Sequence, residues 1–571
     1  MKPTRIRASG VIVGLAIAFA GSLPFAGCAN GVGSSSEDSG IGIDMDAGED
    51  ASGDADSDSD GDTDSDTDTD SDTDADTGTH SDTSDGSDTS DGSDTGNDTD
   101  TGSGDCGDTE SDTSNCGSCG YACDAGESCC TGSCSTGCAL SITSLSEDHG
   151  PMSGGTWVEI TGTGFAPGAR VWFGTSLAPA MVLDAQTIRA QTSPHVAGKV
   201  DVRVDQGSDK TTRGEAFQYA SYGFEGPWQK ISMSGGRGGM PGVSVLMDGR
   251  VLLAGGAYAG AGTEVATADI YDPATNTTSP TNGNMKAARL CVGQITLLTG
   301  KVLIVGGSIY SASPTPNAEL FDPVTSTFAP TTGQPPSPQN DATMTLLPDG
   351  KVLVASKTAP GVLLYDPTAD TFSPVAGAPN PAGYQVARLL DGRVLLVAGN
   401  GAPTYAFDPD AGTFATVGKG PAETMDIDST QHPLTLPDGL VLSVGNWTTN
   451  VIQLFDPAKA AGFAPAPYAL KQSLAHTSFT VMGDGTVFVV AGVTNSPSNC
   501  AYPWVFTEAV ERIDPIAGSV GAFDALPEPT AVLTSVTLLD GSVISAGGTA
   551  CGGSSVGKYL YFLKGKPPVL K

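Results

Sequence analysis

From Trp228 onward, short apolar runs recur behind the same polar turn. Val251-Leu252-Leu253-Ala254 follows Asp248-Gly249, and Val302-Leu303-Ile304-Val305 follows Thr299-Gly300. Further runs follow Asp349, Asp391, Asp438, Asp484 and Asp540, making seven copies at intervals of 42 to 56 residues. Such a period marks a repeat architecture in which each unit buries its apolar surface on the next. Asp-Gly between two apolar runs signals a hairpin, because glycine supplies the positive φ that a tight turn needs. The runs are apolar nearly throughout, so they are expected to be buried on both faces, near a central axis.

A second mark follows each hairpin but the last: Tyr271-Asp272-Pro273, Phe321-Asp322-Pro323, Tyr365-Asp366-Pro367, Phe407-Asp408-Pro409, Phe455-Asp456-Pro457 and Ile513-Asp514-Pro515. In three repeats an aromatic stands six residues after that Asp, at Phe328, Phe372 and Phe414. These pairs read as a third strand, a turn and a fourth strand, and four strands make a propeller blade. Trp228-Gln229-Lys230-Ile231 reads as a fourth strand without a blade of its own. The last repeat has a third strand near Tyr559-Leu560-Tyr561-Phe562 and lacks a fourth. Joining the two would remove the exposed edges. Seven blades over 222–571 are the expectation, with six and eight as alternatives.

Ahead of the repeats, residues 139–221 alternate as half-buried strands do, in Trp157-Val158-Glu159-Ile160 and Arg170-Val171-Trp172-Phe173. Eight cysteines occupy a short stretch before them, within 105–138: Cys106, Cys116, Cys119, Cys123, Cys129, Cys130, Cys134 and Cys138. An even count in an exported chain with few apolar residues nearby predicts a small disulfide-stapled segment, whose connectivity is not readable. Cys500 and Cys551 both follow second strands of neighbouring blades and are expected to pair. Cys291 is expected to be a buried thiol on a first strand.

The net charge of −38 belongs mostly to one segment, because no Lys or Arg falls between Arg7 and Arg170. From Ser34 to Gly104 the chain is nearly all Asp, Ser, Thr and Gly. It has little to bury and repels itself, so 28–104 is expected to be a disordered acidic tether. Acidity of this kind disfavours nucleic acid as a partner. Asp56-Ser57-Asp58-Ser59-Asp60-Gly61 begins like a calcium loop, but Thr67 stands where the bidentate Glu belongs. At the start, Lys2, Arg5 and Arg7 precede an apolar stretch from Val11 to Ala20, too short to span a bilayer comfortably. That pattern is an export signal over 1–27.

Four resemblances follow. Phe25-Ala26-Gly27-Cys28 resembles a bacterial lipobox, which implies lipidation of Cys28 and a stable membrane anchor. Ala29, in place of Asp, points to the outer membrane. The tether and cysteine-rich segment resemble those of myxobacterial-type surface lipoproteins. Pro151-Met152-Ser153-Gly154-Gly155-Thr156, the turn Gly162-Thr163-Gly164-Phe165, Val171-Trp172-Phe173-Gly174 and the closing Phe217-Gln218-Tyr219 resemble an IPT/TIG domain, which implies an immunoglobulin-like sandwich. The repeats resemble kelch repeats, with glycine doublets intact in blades one, two and seven. They decay elsewhere to Ala355-Ser356, Gly399-Asn400, Gly445-Asn446 and Ala491-Gly492.

The kelch resemblance brings enzymes into view, including copper radical oxidases similar to galactose oxidase and sugar-acid isomerases. A copper site of the first kind needs two His and two Tyr. The propeller holds only His432 and His476, each read as packing on a predicted first strand. No cofactor, metal site or catalytic residue is expected. The segments between second and third strands all emerge on one face and carry Tyr258, Tyr310, Trp447, Tyr502 and Trp504. Aromatic side chains on loops over a rigid scaffold suit recognition of proteins and glycans. The fold expected is therefore all-β, a sandwich plus a propeller. The function expected is a lipid-anchored, surface-displayed, non-enzymatic binding or adhesion protein with an extracellular protein or glycan as partner. An extracellular carbohydrate-active enzyme on the same scaffold is the alternative.

Overall fold

A computed structural model of the chain describes residues 122–568, apart from 124–127, 131–132, 136, 239, 258–263, 308–317, 357–358, 360, 380–382, 423–431, 445–448, 460, 495–504 and 550–558. The tether, Cys28, Cys106, Cys116, Cys119, Cys500 and Cys551 all lie outside the described residues. The described residues form strands and turns, with no helix among them. In the cysteine-rich segment, Ser128–Cys130 pairs antiparallel with Ser133–Ser135, and a Cys123–Cys134 disulfide staples this small hairpin. Cys138 is disulfide-bonded as well.

Residues 141–220 build a two-sheet sandwich. One sheet carries Ser141–Leu145, Trp157–Thr163, Thr187–Gln191 and Ala180–Val182. The other carries His149–Pro151, Asp209–Ala220, Gly198–Gln206, Arg170–Phe173 and Ser176–Ala178. The alternation read in the sequence is the alternation of burial. Val158 and Ile160 point inward from the first sheet, and Val171, Phe173, Val202, Val204 and Phe217 meet them from the second.

The rest forms seven four-stranded antiparallel sheets among the described residues, six of them in simple sequence order. Blade one is Gly242–Val245, Val251–Ala254, Ala268–Asp272 and Thr277–Pro280. In blade seven, Ala531–Thr537, Val543–Thr549 and Tyr559–Lys566 are completed by Gly223–Ser232 from the other end of the repeat region. The closure expected at Trp228 is thus present. It begins five residues earlier, at Gly223.

Why the second strands are apolar throughout is now plain. Each stands between two blades, and alternate residues face alternate neighbours. Val251 and Leu253 pack with Ile544 and Ala546 of blade seven. Leu252 and Ala254 pack with Val302 and Ile304 of blade two. The same division continues around the ring, through Leu303 with Leu346 and Val352, Leu353 with Val394, Leu395 with Val441, Leu442 with Val487, and Phe488 with Val543. Burying one such Val or Leu is worth roughly 1.5–3 kcal/mol, so this layer is the main adhesive between blades.

The polar marks serve the turns. Gly249 N donates to Leu246 O at 3.0 Å with Gly249 at φ +84°, and Asp248 Oδ1 receives the N–H of Arg250 at 3.1 Å. That is a type I turn closed by a glycine bulge. The outer Asp-Pro turns use the same device: Asp272, Asp322, Asp366, Asp408 and Asp456 each accept the N–H two residues on. The spaced aromatics meet across the third and fourth strands, Phe321 with Phe328, Tyr365 with Phe372 and Phe407 with Phe414, at centroid separations of 4.8–4.9 Å.

Candidate binding face

The turns between first and second strands lie on one face of the ring; the segments between second and third strands leave from the other. The turn face is occupied by the sandwich. Leu177 N donates to Leu390 O of blade four at 2.7 Å, and Ala180 N to Pro348 O of blade three at 3.2 Å. Arg189 Nη1 donates to Leu298 O of blade two at 3.0 Å. On the far side, Met152 N and Tyr222 N both donate to Gly483 O of blade six at 3.1 Å. A Cβ on Gly541 of blade seven would lie 2.7 Å from that of Tyr222. A module touching blades two, three and four as well as six and seven must cross the axis.

Arg388, on the first strand of blade four, reaches into the sandwich. Its Nη1 donates to Leu177 O at 3.0 Å and to Ser193 Oγ at 3.1 Å. Burial lowers its pKa to about 10, against the favourable influence of Tyr219. Arg170 forms an ion pair with Asp410 at the rim of blade four.

The opposite face is built on backbone geometry. In six of the seven blades, the described residue eight ahead of the hairpin Asp or Thr is in a left-handed conformation: Met240 (φ +37°), Cys291 (+56°), Asp341 (+47°), Gly383 (+101°), His476 (+50°) and Val532 (+66°). Non-glycine residues enter this region at a cost, most of all β-branched ones. Hydrogen bonds between neighbours hold the arrangement, Cys291 N to Met240 O at 3.1 Å and Val532 N to His476 O at 2.9 Å. The turn brings the chain from the outer strand of one blade onto the first strand of the next.

Under this face lie two buried ion pairs that sequence reasoning missed. Arg237 meets Asp269 at 3.0 Å and Arg289 meets Glu319 at 2.7 Å, each partner 0–1 % exposed. Both arginines also donate to the carbonyl of the first doublet glycine, Gly255 and Gly306. The signal was present: an Arg in each of two successive connectors, with an acid on the following third strand.

Two expectations are corrected. Cys291 is not a thiol on a first strand. It stands two residues before Gly293–Thr296, fully buried, and is disulfide-bonded, with its sulfur 3.2 Å from that of Met240. The positive φ shows why: the residue belongs to the incoming connector. His432 and His476 likewise precede their first strands, Leu434–Thr435 and Ser478–Val481. Burial holds the His432 imidazole below its ordinary 6.5.

Tyr258, Tyr310, Trp447, Tyr502 and Trp504 all lie outside the described residues, so the structure does not bring them together or apart. What is described is the base of their loops. In blade six the strands Val487–Thr494 and Val505–Asp514 stay paired out to Thr494 and Val505. Blade one stops at Ala254 and Ala268. The blade-six hairpin therefore rises further from the face. Ala475, Val493, Phe506, Ala531 and Val532 pack around its foot.

The two-sheet sandwich expected from the sequence is present, with its alternating apolar residues in the core. Residues 140–219 match the IPT/TIG domain family. The IPT/TIG module is thus the part of the chain that closes the turn face. No curated protein matches the chain.

Proposed function

We propose that this chain is a surface-displayed, lipid-anchored, non-enzymatic binding or adhesion protein that presents a kelch-type propeller on an acidic tether. The observation that carries the reading is the occupied turn face. With the IPT/TIG module crossing the axis on one side, the face of the second-to-third strand segments is the one left for a partner. IPT/TIG domains are often involved in binding or adhesion. Glycine doublets at positive φ in blades one, two and seven and the aromatic pairs of the outer strands support the kelch assignment. The partner is an extracellular protein or glycan engaged by Trp447, Trp504 and the tyrosines at 258, 310 and 502. Cys28 carries the anchor, and display is at the outer membrane.

Two measurements test it. Cys28→Ser is expected to move the protein from the membrane to the soluble fraction; unchanged fractionation refutes the anchor. Trp447→Ala and Trp504→Ala are expected to weaken capture on an array of glycans and surface proteins while melting as the native protein does. Early melting of both would place the two residues in the core instead.

A further inference from the structure

A crevice of about 540 Å³ opens between blades six and seven, lined by Phe224, Pro227, Asp484, Arg512, Phe523 and Asp524. It is made by an irregularity in the closing strand. Gly223–Ser232 pairs with Tyr559–Lys566 at both ends, but the register slips between Glu225 and Gln229. Gly226 stands there at φ +77°. The bulge leaves Gly226-Pro227 exposed and turns Trp228 inward, where its Nε1 donates to Asp524 O at 3.0 Å. Bulges are over-represented beside functional sites because they re-aim the chain.

The blade-six wall follows from register. Phe488, Arg512 and Gly521 lie opposite one another on three adjacent strands, so they share one face of the sheet. Phe523, two residues on, shares it too. Phe224 from the closing strand and Phe523, both partly exposed, meet edge to face at 5.8 Å over the fully buried Phe488 and form the aromatic floor. Arg512 lines the same crevice, ion-paired with Asp484 and donating from Nε to Thr486 Oγ1 at 3.1 Å. A Cβ on Gly521 would meet no atom within 4 Å, so the space beside Arg512 is open.

We propose that this crevice binds a neutral saccharide unit. An aromatic floor suits the C–H face of a sugar ring. Guanidinium N–H groups and carboxylate oxygens side by side suit hydroxyl groups, which accept and donate at once. Asp484 already balances the charge of Arg512, so an anionic ligand is not called for. The volume falls within the range of about 300–1,000 Å³ found for small-ligand sites. The crevice lies beside the turn face, so the inference does not rest on the loop-face reading.

Saturation-transfer NMR of the full chain tests it, with glucose, galactose, mannose and N-acetylglucosamine as probes and a lysine-rich tetrapeptide as control. Transfer to the ring C–H protons of at least one sugar is expected. Arg512→Ala is expected to weaken that binding about tenfold or more, as loss of a charged hydrogen-bond donor does. Gly521→Trp fills open space at an ordinary backbone conformation, and is expected to abolish the transfer with the native melting temperature retained. Val324→Ala, an exposed position on the outer turn of blade two, should leave it unchanged. Transfer to none of the four sugars, transfer surviving Gly521→Trp, or transfer to the tetrapeptide alone would overturn the proposal.

Discussion

Gly306 and Gly307 stand at φ +66° and +98°, and a Cβ on Gly306 would fall 1.7 Å from Gln339 O in the connector of the next blade. The doublet is therefore a point where two chains touch, and both its conformation and its lack of a side chain are needed. Gly255 meets Arg289 O in the same way at 2.4 Å. Blade three solves the problem otherwise. At Ala355-Ser356 the chain avoids positive φ, and Ser356 Oγ donates to Asn340 O at 2.8 Å. A missing doublet is thus a different contact, not a broken blade. Gly306→Ala is expected to cost about 2 kcal/mol or more, from the strained backbone and the collision together. Calorimetry should show the melting temperature falling by a few degrees. Gly521→Ala, placed in open space, should leave it nearly unchanged.

Among the elements, the closing strand is where the ring is fastened. Lys230 Nζ on that strand donates to Glu528 Oε2 at 2.8 Å, and Tyr561 OH donates to Glu528 Oε1 at 2.6 Å. Lys230 also lies 3.7 Å from the centre of the Tyr559 ring. Desolvation pushes the Glu528 carboxyl up, but the hydrogen bonds from Lys230 and Tyr561 outweigh it and leave its pKa below the ordinary 4.5. A carboxyl depressed on folding adds stability above its unfolded pKa. That stability is lost as the pH falls through the folded value. The native protein should therefore lose melting temperature as the pH is taken below about 4.5. Glu528→Gln should be less stable at neutral pH and show a shallower loss in that acid range. Parallel curves for the two proteins would mean that the trio does not fasten the strand. The strand itself was legible from Trp228 to Ile231. Its bulge was not, because Gly226-Pro227 reads equally well as a plain strand start.

For the whole molecule, the decisive contact is between the IPT/TIG module and the ring. Leu177 is fully buried, and its Cδ2 lies where a Cβ on Gly392 would come within 2.7 Å. Arg388 donates to the same residue's carbonyl. Removing the Leu177 side chain takes apolar packing from that contact but leaves both backbone hydrogen bonds in place. Leu177→Ala is expected to weaken docking by about 2–4 kcal/mol. Limited proteolysis should then cut near Ser221, between the two parts, faster than in the native chain. An unchanged cleavage rate would show that the module is held by other contacts.

The local rules of this protein were readable in its residues one repeat at a time. Asp248-Gly249 and its copies specify hairpins, Tyr365 and Phe372 specify a paired outer strand, and Val302 to Val305 specify a strand buried on both sides. Each depends on near neighbours in the chain, whose spacing is preserved in the sequence. The seven-fold closure was readable for the same reason, since Tyr561 and Lys230 are leftovers of a counted series. The Arg237–Asp269 and Arg289–Glu319 pairs left a local mark, an Arg in the connector and an acid on the third strand that follows, but the true place of Cys291 and the seat of the IPT/TIG module left none. Those contacts join residues brought together only once the ring has closed. Leu177 and Leu390 carry no mark in sequence that they will meet. Only the tertiary structure aligns the turns of five blades into one surface, and that surface decides which face of the propeller stays open.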